Sequence, residues 1–250
     1  MSILSTSFTS LIAEALDLPA TTFDRFFDAD QQHKLKVVKY PDLAELGVAE
    51  GVESQGVGPH KDSMLTSYLL QASHHRGLQA QNMAGEWIDC PPISGTLVVA
   101  IGQGLEAITH GVCASTTHRV LSPGRGEGAR FSVPFFQGVS YDATFESVDV
   151  PERIMQMRRE VMERYQGRKD DVEFTFKKGA WAHLGEATLW NRCKSHMDVA
   201  ERWYPKSYTK IREQEQEQEQ ELQIKEKETK FTKGHIKADG HAHRSAAIST

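Results

Sequence analysis

The chain has few cysteines, no long apolar run and no excess of basic residues, and each shortage removes a class of protein. Its three cysteines, Cys90, Cys113 and Cys193, are odd in number and widely spaced. That excludes a disulfide framework and a four-thiolate zinc site, and it points to a reducing compartment. No apolar stretch approaches the ~18 residues that a membrane span needs. Glu14 and Asp17 interrupt the apolar residues near the N-terminus and no basic region precedes them, unlike a secretory signal. A cytoplasmic protein without a membrane partner is expected. Lys and Arg total 29 against 34 Asp and Glu, a formal charge of −5. With no basic stripe interleaved with aromatics, nucleic acid is not an expected partner either.

What the chain has is a change of texture along its length. Leu11, Ile12, Ala15 and Leu16, then Phe23, Phe26 and Phe27, recur at helical spacing with Pro19 between them, so residues 1–34 read as an N-terminal helical segment. From Leu35 the pattern becomes short apolar runs at 35–40, 64–70, 78–81, 87–89, 96–101, 116–121 and 130–136, separated by Gly, Pro and Asn. Many short strands with turn signals between them predict a sandwich or barrel. Residues 82–85 read as a hairpin turn with Gly85 at a positive φ, and 123–128 as a loop. Glu-, Arg- and Met-rich residues after Pro151 predict a helix reaching Tyr165, and 184–193 a second, both covering the sheet. The β domain is expected to span 35–208. Residues 209–250 turn to Glu-Gln repeats with little apolar material and read as a low-complexity tail, disordered or an isolated solvated helix.

The motif His-x-Asp occurs twice, as His60-Lys61-Asp62 and His196-Met197-Asp198. The second sits in a stretch that reads as a helix end, followed only by His235, His241 and His243 in the polar tail. The first has a richer context. His60 and Asp62 at i and i+2 share a face if the segment is extended, His118 follows on another apolar run, and Arg130 and Ser132 repeat the i, i+2 spacing on a third. Two histidines and a carboxylate occupy three positions on one side of an octahedral metal and leave three open, the arrangement of non-haem Fe(II) oxygenases. An arginine beside such a site has a charge that needs a partner, and its planar fork matches a carboxylate. A 2-oxo dicarboxylic acid satisfies both groups.

On these residues the chain resembles the isopenicillin N synthase-like group of 2-oxoglutarate- and Fe(II)-dependent dioxygenases, especially fungal members. The likeness runs from about Phe8 to Pro205 through Lys36-Val37-Val38-Lys39-Tyr40-Pro41, Gly58-Pro59-His60-Lys61-Asp62, Gly77-Leu78-Gln79-Ala80, Gly95-Thr96-Leu97-Val98-Val99, Thr117-His118-Arg119-Val120 and Arg130-Phe131-Ser132-Val133-Pro134-Phe135-Phe136. The resemblance implies a mainly β fold with flanking helices, the double-stranded β-helix or jelly roll. It implies His60, Asp62 and His118 as iron ligands, Arg130 and Ser132 on the distal carboxylate of 2-oxoglutarate, and Tyr40 as a further co-substrate contact. Members carry a longer Asn-x-Tyr-Pro-x-Cys block where this chain has Lys39-Tyr40-Pro41-Asp42. They also carry a substantial region before the equivalent of Phe8, and without it exposed apolar surface is expected here.

The activity implied is oxidation, by hydroxylation, of a small organic metabolite, with Fe(II), 2-oxoglutarate and O₂ as cofactor and co-substrates and succinate and CO₂ as products. Two alternatives remain at this point: an isopenicillin N synthase-type oxidase that does without 2-oxoglutarate, and a non-catalytic metal-binding or interaction module. Other candidates have plainer readings. Arg119 points away from His118 and reads as a surface charge. His74, His75 and His110 read as loop histidines, and Gln103 as a structural polar group. Cys113 lacks a base partner for nucleophilic work.

Overall fold

The computed structural model describes residues 1–217 and 220, except positions 30, 50, 53, 145, 173–175, 177–180 and 182. Most of the expected tail, including 221–250, lies outside the described residues, but its first part, 209–217, is helical rather than disordered and buries Ile211. The chain divides into two compact units, Met1–Leu189 and Trp190–Thr250.

The first unit opens with α1 (Ser2–Ala15), and a short 3-10 turn follows at Asp24–Phe26. Its strands are β1 (Lys34–Leu35), β2 (Val38–Tyr40), β3 (Gln55–His60), β4 (Thr66–Gln71), β5 (Leu78–Gln81), β6 (Trp87–Asp89), β7 (Val98–Ile101), β8 (His118–Leu121) and β9 (Arg130–Gln137). α2 (Gln103–Ile108) lies between β7 and β8; α3 (Glu152–Arg164) and α4 (Leu184–Ser195) follow the sheets. One sheet of five strands has the order β1–β9–β4–β7 with β2 also on β9, and a second of four has the order β3–β8–β5–β6. All of these pairings are antiparallel. Two antiparallel sheets, most of whose neighbouring strands are distant in sequence, make the jelly roll that the resemblance implies, one form of the sandwich or barrel that the strand pattern predicts. The β5–β6 hairpin closes as expected. Asn82 Oδ1 accepts from the amides of Ala84 and Glu86 at 2.9 Å, and Gly85 takes φ 88°.

Two apolar clusters hold this unit. Ala13, Leu16, Phe23, Phe26, Leu65, Leu105, Ile108 and Leu184 join the helices to the larger sheet, which is the packing that the N-terminal periodicity predicts. Tyr40, Leu69, Leu78 and Val120 fill the space between the two sheets. α1 covers part of the larger sheet's outer face: Thr9 Oγ1 donates to Gln137 Oε1 at 3.1 Å, and the Phe8 ring meets Tyr68 edge-on at 6.0 Å. Past its edge Val37, Leu70, Val99 and Phe131 stay exposed.

Two elements depart from the expected pattern. β3 forms on Gln55-Gly56-Val57-Gly58-Pro59-His60, which lies outside the apolar runs read as strands. Gly56 has a reason to be there: a Cβ would stand 2.5 Å from Tyr40 Cδ1, so its absence lets the β2 ring press against β3. α2 forms on residues read as a strand end and a loop. Its start packs against the chain after β3. A Cβ on Gly102 would lie 1.9 Å from the Met64 carbonyl oxygen, an approach that only glycine allows. In the second unit α5 (Met197–Trp203) has His196 as its N-cap residue, in keeping with the helix end read for that His-x-Asp. No helix among the described residues is long and apolar enough to cross a membrane.

Candidate active site

His60 ends β3, His118 begins β8, and the two are Cα partners in the antiparallel register. Their rings therefore lie side by side, with centroids 4.2 Å apart. Asp62 comes after the strand rather than within it, so its orientation is set by the turn into β4 and not by strand alternation. The Asp62 carbonyl accepts from the Gln103 amide at 2.8 Å, which ties this turn to the start of α2. Gln103, read as a structural polar residue, thus acts on the site through its backbone. His60 Nε2 stands 3.8 Å from Asp62 Oδ1, and His118 Nε2 stands 3.7 Å from Asp62 Oδ2.

These separations are too long for hydrogen bonds and leave room for an ion among the three groups, whose ligand atoms all lie within 4.8 Å of one another. The protonation pattern fits that use. His60 Nδ1 is 2.9 Å from the Gly58 carbonyl and His118 Nδ1 is 2.9 Å from the Thr116 carbonyl. A carbonyl can only accept, so both Nδ1 atoms carry the proton and both Nε2 lone pairs turn toward Asp62. Burial, and then the neighbouring His118, lower the His60 pKa against the pull of Asp62, which favours the neutral, ligating imidazole. Asp62 Oδ2 is buried without a hydrogen-bond partner. A buried carboxylate oxygen left unpaired is costly, and a cation between the imidazoles would satisfy it. The Asp62 and His118 side chains are 8% and 7% exposed and His60 38%, so solvent reaches the group from the His60 side.

The second polar group lies on the larger sheet. Arg130 is 1% exposed. Its Nη2 donates to Gln71 Oε1 at 3.1 Å and its Cζ sits 5.0 Å from the centre of the Tyr40 ring. Nε and Nη1 are buried with no hydrogen-bond partner, so two donors of a guanidinium fork are left for a further acceptor beside the Tyr40 ring. Tyr40 is the Cα partner of Arg130, and burial raises its pKa against the opposing Arg130 charge, which keeps the phenol protonated. Ser132 shares the Arg130 face of β9, with its Oγ donating to the Leu70 carbonyl at 3.3 Å. His118 likewise shares its face with Val120, which packs with Tyr40 in the inter-sheet cluster. By strand alternation both polar groups therefore turn into the space between the sheets.

Some residues were missed or read differently. Gln71 orients Arg130 while its Nε2 donates to the Cys90 carbonyl at 3.0 Å; as the last residue of an apolar strand it gave no signal. Lys61 is buried, although a lysine between two site residues suggests solvent. Arg119 does leave β8 on the face opposite His118, but it is half-buried rather than a free surface charge. It donates to Gln79 Oε1 at 2.7 Å and stacks 4.4 Å from the Trp87 ring. His74 and His75 stack on each other at 4.2 Å and His110 is exposed, none of them within the group formed by His60, Asp62 and His118. Burial raises the Cys113 thiol pKa, which suppresses the thiolate.

Comparison with known proteins agrees with this geometry. Residues 32–139 match the family profile of the 2OG-Fe(II) oxygenase superfamily. The matched stretch contains His60, Asp62, His118, Arg130 and Ser132. It is 73% identical over 213 residues to the 2-oxoglutarate-dependent dioxygenase frbJ of Dothideomycetidae sp. (strain 11243), covering 84% of this chain and 57% of that protein. A 2-oxoglutarate-dependent dioxygenase of Gibberella zeae is 37% identical over 213 residues, covering 80% of this chain and 54% of that one. Among solved structures, a full-length Neurospora crassa protein crystallised in complex with alpha-KG superposes with TM-score 0.52 at 27% identity, over 59% of this chain and 49% of that one. The chain thus spans a little over half the length of these curated relatives.

Proposed function

We propose that this chain is the catalytic core of an Fe(II)- and 2-oxoglutarate-dependent dioxygenase that hydroxylates a small organic metabolite and releases succinate and CO₂. The observation that carries the reading is the buried, unpartnered Asp62 Oδ2 between two imidazoles whose Nε2 lone pairs face it. His60, Asp62 and His118 would hold the iron. The unpaired Nε and Nη1 of Arg130 would take the distal carboxylate of 2-oxoglutarate, with Ser132 and the protonated Tyr40 beside it. The divalent ion, the Asp62 carboxylate, the 2-oxoglutarate dianion and the Arg130 cation then balance to zero charge in a buried space, where an unbalanced charge would be expensive.

When bound, the iron and 2-oxoglutarate supply the activation of O₂; the protein's part is orientation and exclusion. His118 and Asp62 are held by neighbours that leave little freedom, and the apolar cluster of Leu69, Leu78 and Val120 excludes water from the arm that reaches Arg130. The more open His60 side is where a small-molecule substrate and O₂ would arrive. A reducing cytoplasm suits three unpaired cysteines and Fe(II). An oxidase that dispenses with 2-oxoglutarate is disfavoured, because it leaves the Arg130 fork without a partner and because both similar curated relatives are named for that co-substrate. A non-catalytic module is disfavoured on the same two grounds.

The test is anaerobic loading with Fe(II) and 2-oxoglutarate, then exposure to O₂ with a panel of small metabolites while succinate is measured. Succinate that requires both additions supports the proposal. Failure to bind iron, or O₂ consumption indifferent to 2-oxoglutarate, overturns it.

A further inference from the structure

Lys61, between two proposed ligands in sequence, turns away from them into a buried ionic network. Its side chain is 2% exposed. Its ammonium lies 2.6 Å from Asp170 Oδ2 and donates to the Val172 carbonyl at 2.8 Å. Asp170 Oδ1 accepts from Thr117 Oγ1, and Oδ2 also receives Arg168 Nη2. Arg168 donates further to the Ser115 carbonyl at 2.7 Å and approaches Glu106 Oε1 on α2 at 3.5 Å, while the Ser115 amide donates to Glu106 Oε2 at 2.7 Å. Two cations and two carboxylates thus tie the turn after β3, the approach to β8, α2 and the segment after α3. Asp170 is central: one of its oxygens holds the residue flanked by His60 and Asp62, and the other holds the residue before His118. Each of the three proposed ligands is therefore the immediate chain neighbour of a residue bonded to this carboxylate.

We infer that Asp170 is a positioning residue for the metal site: it sets the spacing between the His60–Asp62 pair and His118 by fixing Lys61 and Thr117 on one carboxylate. The inference rests on the reading of those three residues as metal ligands. Strand pairing alone does not set that spacing. The β3–β8 register shifts twice before His60, and Asp62 lies outside the strand. Burial raises the Asp170 pKa, but the bonds from Lys61 and Thr117 and the charges of Arg168 and Lys61 outweigh it, and the net shift is downward. The carboxylate stays ionised and holds both neighbours at neutral pH. A mere stabilising pair would not need to join these two segments. Partners of this kind behind metal ligands typically change metal affinity by about 10- to 100-fold.

The test titrates the metal-free full chain with Co(II), followed by visible cobalt absorption, with His118→Ala as the blank for ions bound elsewhere. Asp170→Asn should weaken Co(II) binding about 10- to 100-fold and alter the shape of the absorption band. Thr117→Val, which removes one hydrogen bond and no charge, should do so to a smaller degree and carries the test if Asp170→Asn does not fold. Phe23→Leu, in the helical core away from the network, should lower the melting temperature without changing Co(II) affinity. Unchanged Co(II) binding in the folded network variants overturns the inference and leaves the metal site intact. Equal weakening in Phe23→Leu overturns it as well, because the effect is then general destabilisation. Wild-type protein that gives no cobalt signal above the His118→Ala blank removes the metal-site reading and this inference with it.

Discussion

At the scale of single residues, the same dipeptide spacing has two outcomes in this chain. His60-x-Asp62 meets a third proposed ligand because β8 brings His118 opposite it; His196-x-Asp198 lies at the start of a helix. His118→Ala is therefore expected to abolish 2-oxoglutarate-dependent succinate formation and metal retention, whereas His196→Ala keeps both, as read by succinate assay and metal analysis of the purified variants. Arg130→Leu should act on the co-substrate and not on the metal. A charge-assisted hydrogen bond contributes about 1.5–3 kcal/mol, so the KM for 2-oxoglutarate should rise about 10- to 100-fold while Co(II) affinity is nearly unchanged. An unaltered KM would take Arg130 out of the co-substrate site. These side chains were legible because their chemistry is rare in apolar runs. Asp170 and Lys61 were not, since Arg168-Lys169-Asp170-Asp171 has the composition of a solvated loop and only the fold shows which carboxylate is buried.

At the scale of elements, apolar periodicity found the strands that bury a face and missed the one that does not need to. β4 and β9 are apolar enough to be read directly. β3 is largely exposed along its length, and its two glycines and proline carry turn propensity that the pairing with β8 overrides. Its Gly56 is fixed by the neighbouring ring rather than by a turn. Gly56→Ala should cost about 1–3 kcal/mol through overpacking against Tyr40, seen as a lower midpoint in thermal or denaturant unfolding. In a Tyr40→Leu background the same change should cost much less, because the two positions are in contact and their effects do not add. Equal costs in both backgrounds would mean that the ring and the strand do not press on each other. α2 was hidden for a related reason: Gly102 and Gly104 lower helix propensity, and the close approach to the Met64 carbonyl explains their presence.

At the scale of the whole molecule, composition indicated one β domain, and the antiparallel jelly roll follows from many short strands whose neighbours lie far apart in sequence. Leu70, Val99 and Phe131 lie exposed on the face of the larger sheet that α1 partly covers, with Val37 beside them. Such a surface promotes association. Replacing Val37 by Lys and Val99 by Thr should raise the concentration at which light scattering first reports self-association, with Co(II) affinity unchanged; an unchanged threshold would place the sticky surface elsewhere.

The pairing of β3 with β8 also bears on how this chain tolerates changes in length. Between Gln55 and His60 the strand carries two more residues than the β8 segment it faces, taken up at the two register shifts. Loss of one of them would remove a bulge and with it the local bend and twist with which β3 presents His60 and leads into Asp62. Deletion of Gly58 should therefore weaken metal binding, while deletion of Gly126 in the exposed loop between β8 and β9 should leave it intact, a contrast that Co(II) titration reads directly. Insertions and deletions are commonly absorbed where glycine and proline are frequent. Here the glycine- and proline-rich segment is the one whose residue count shapes the site.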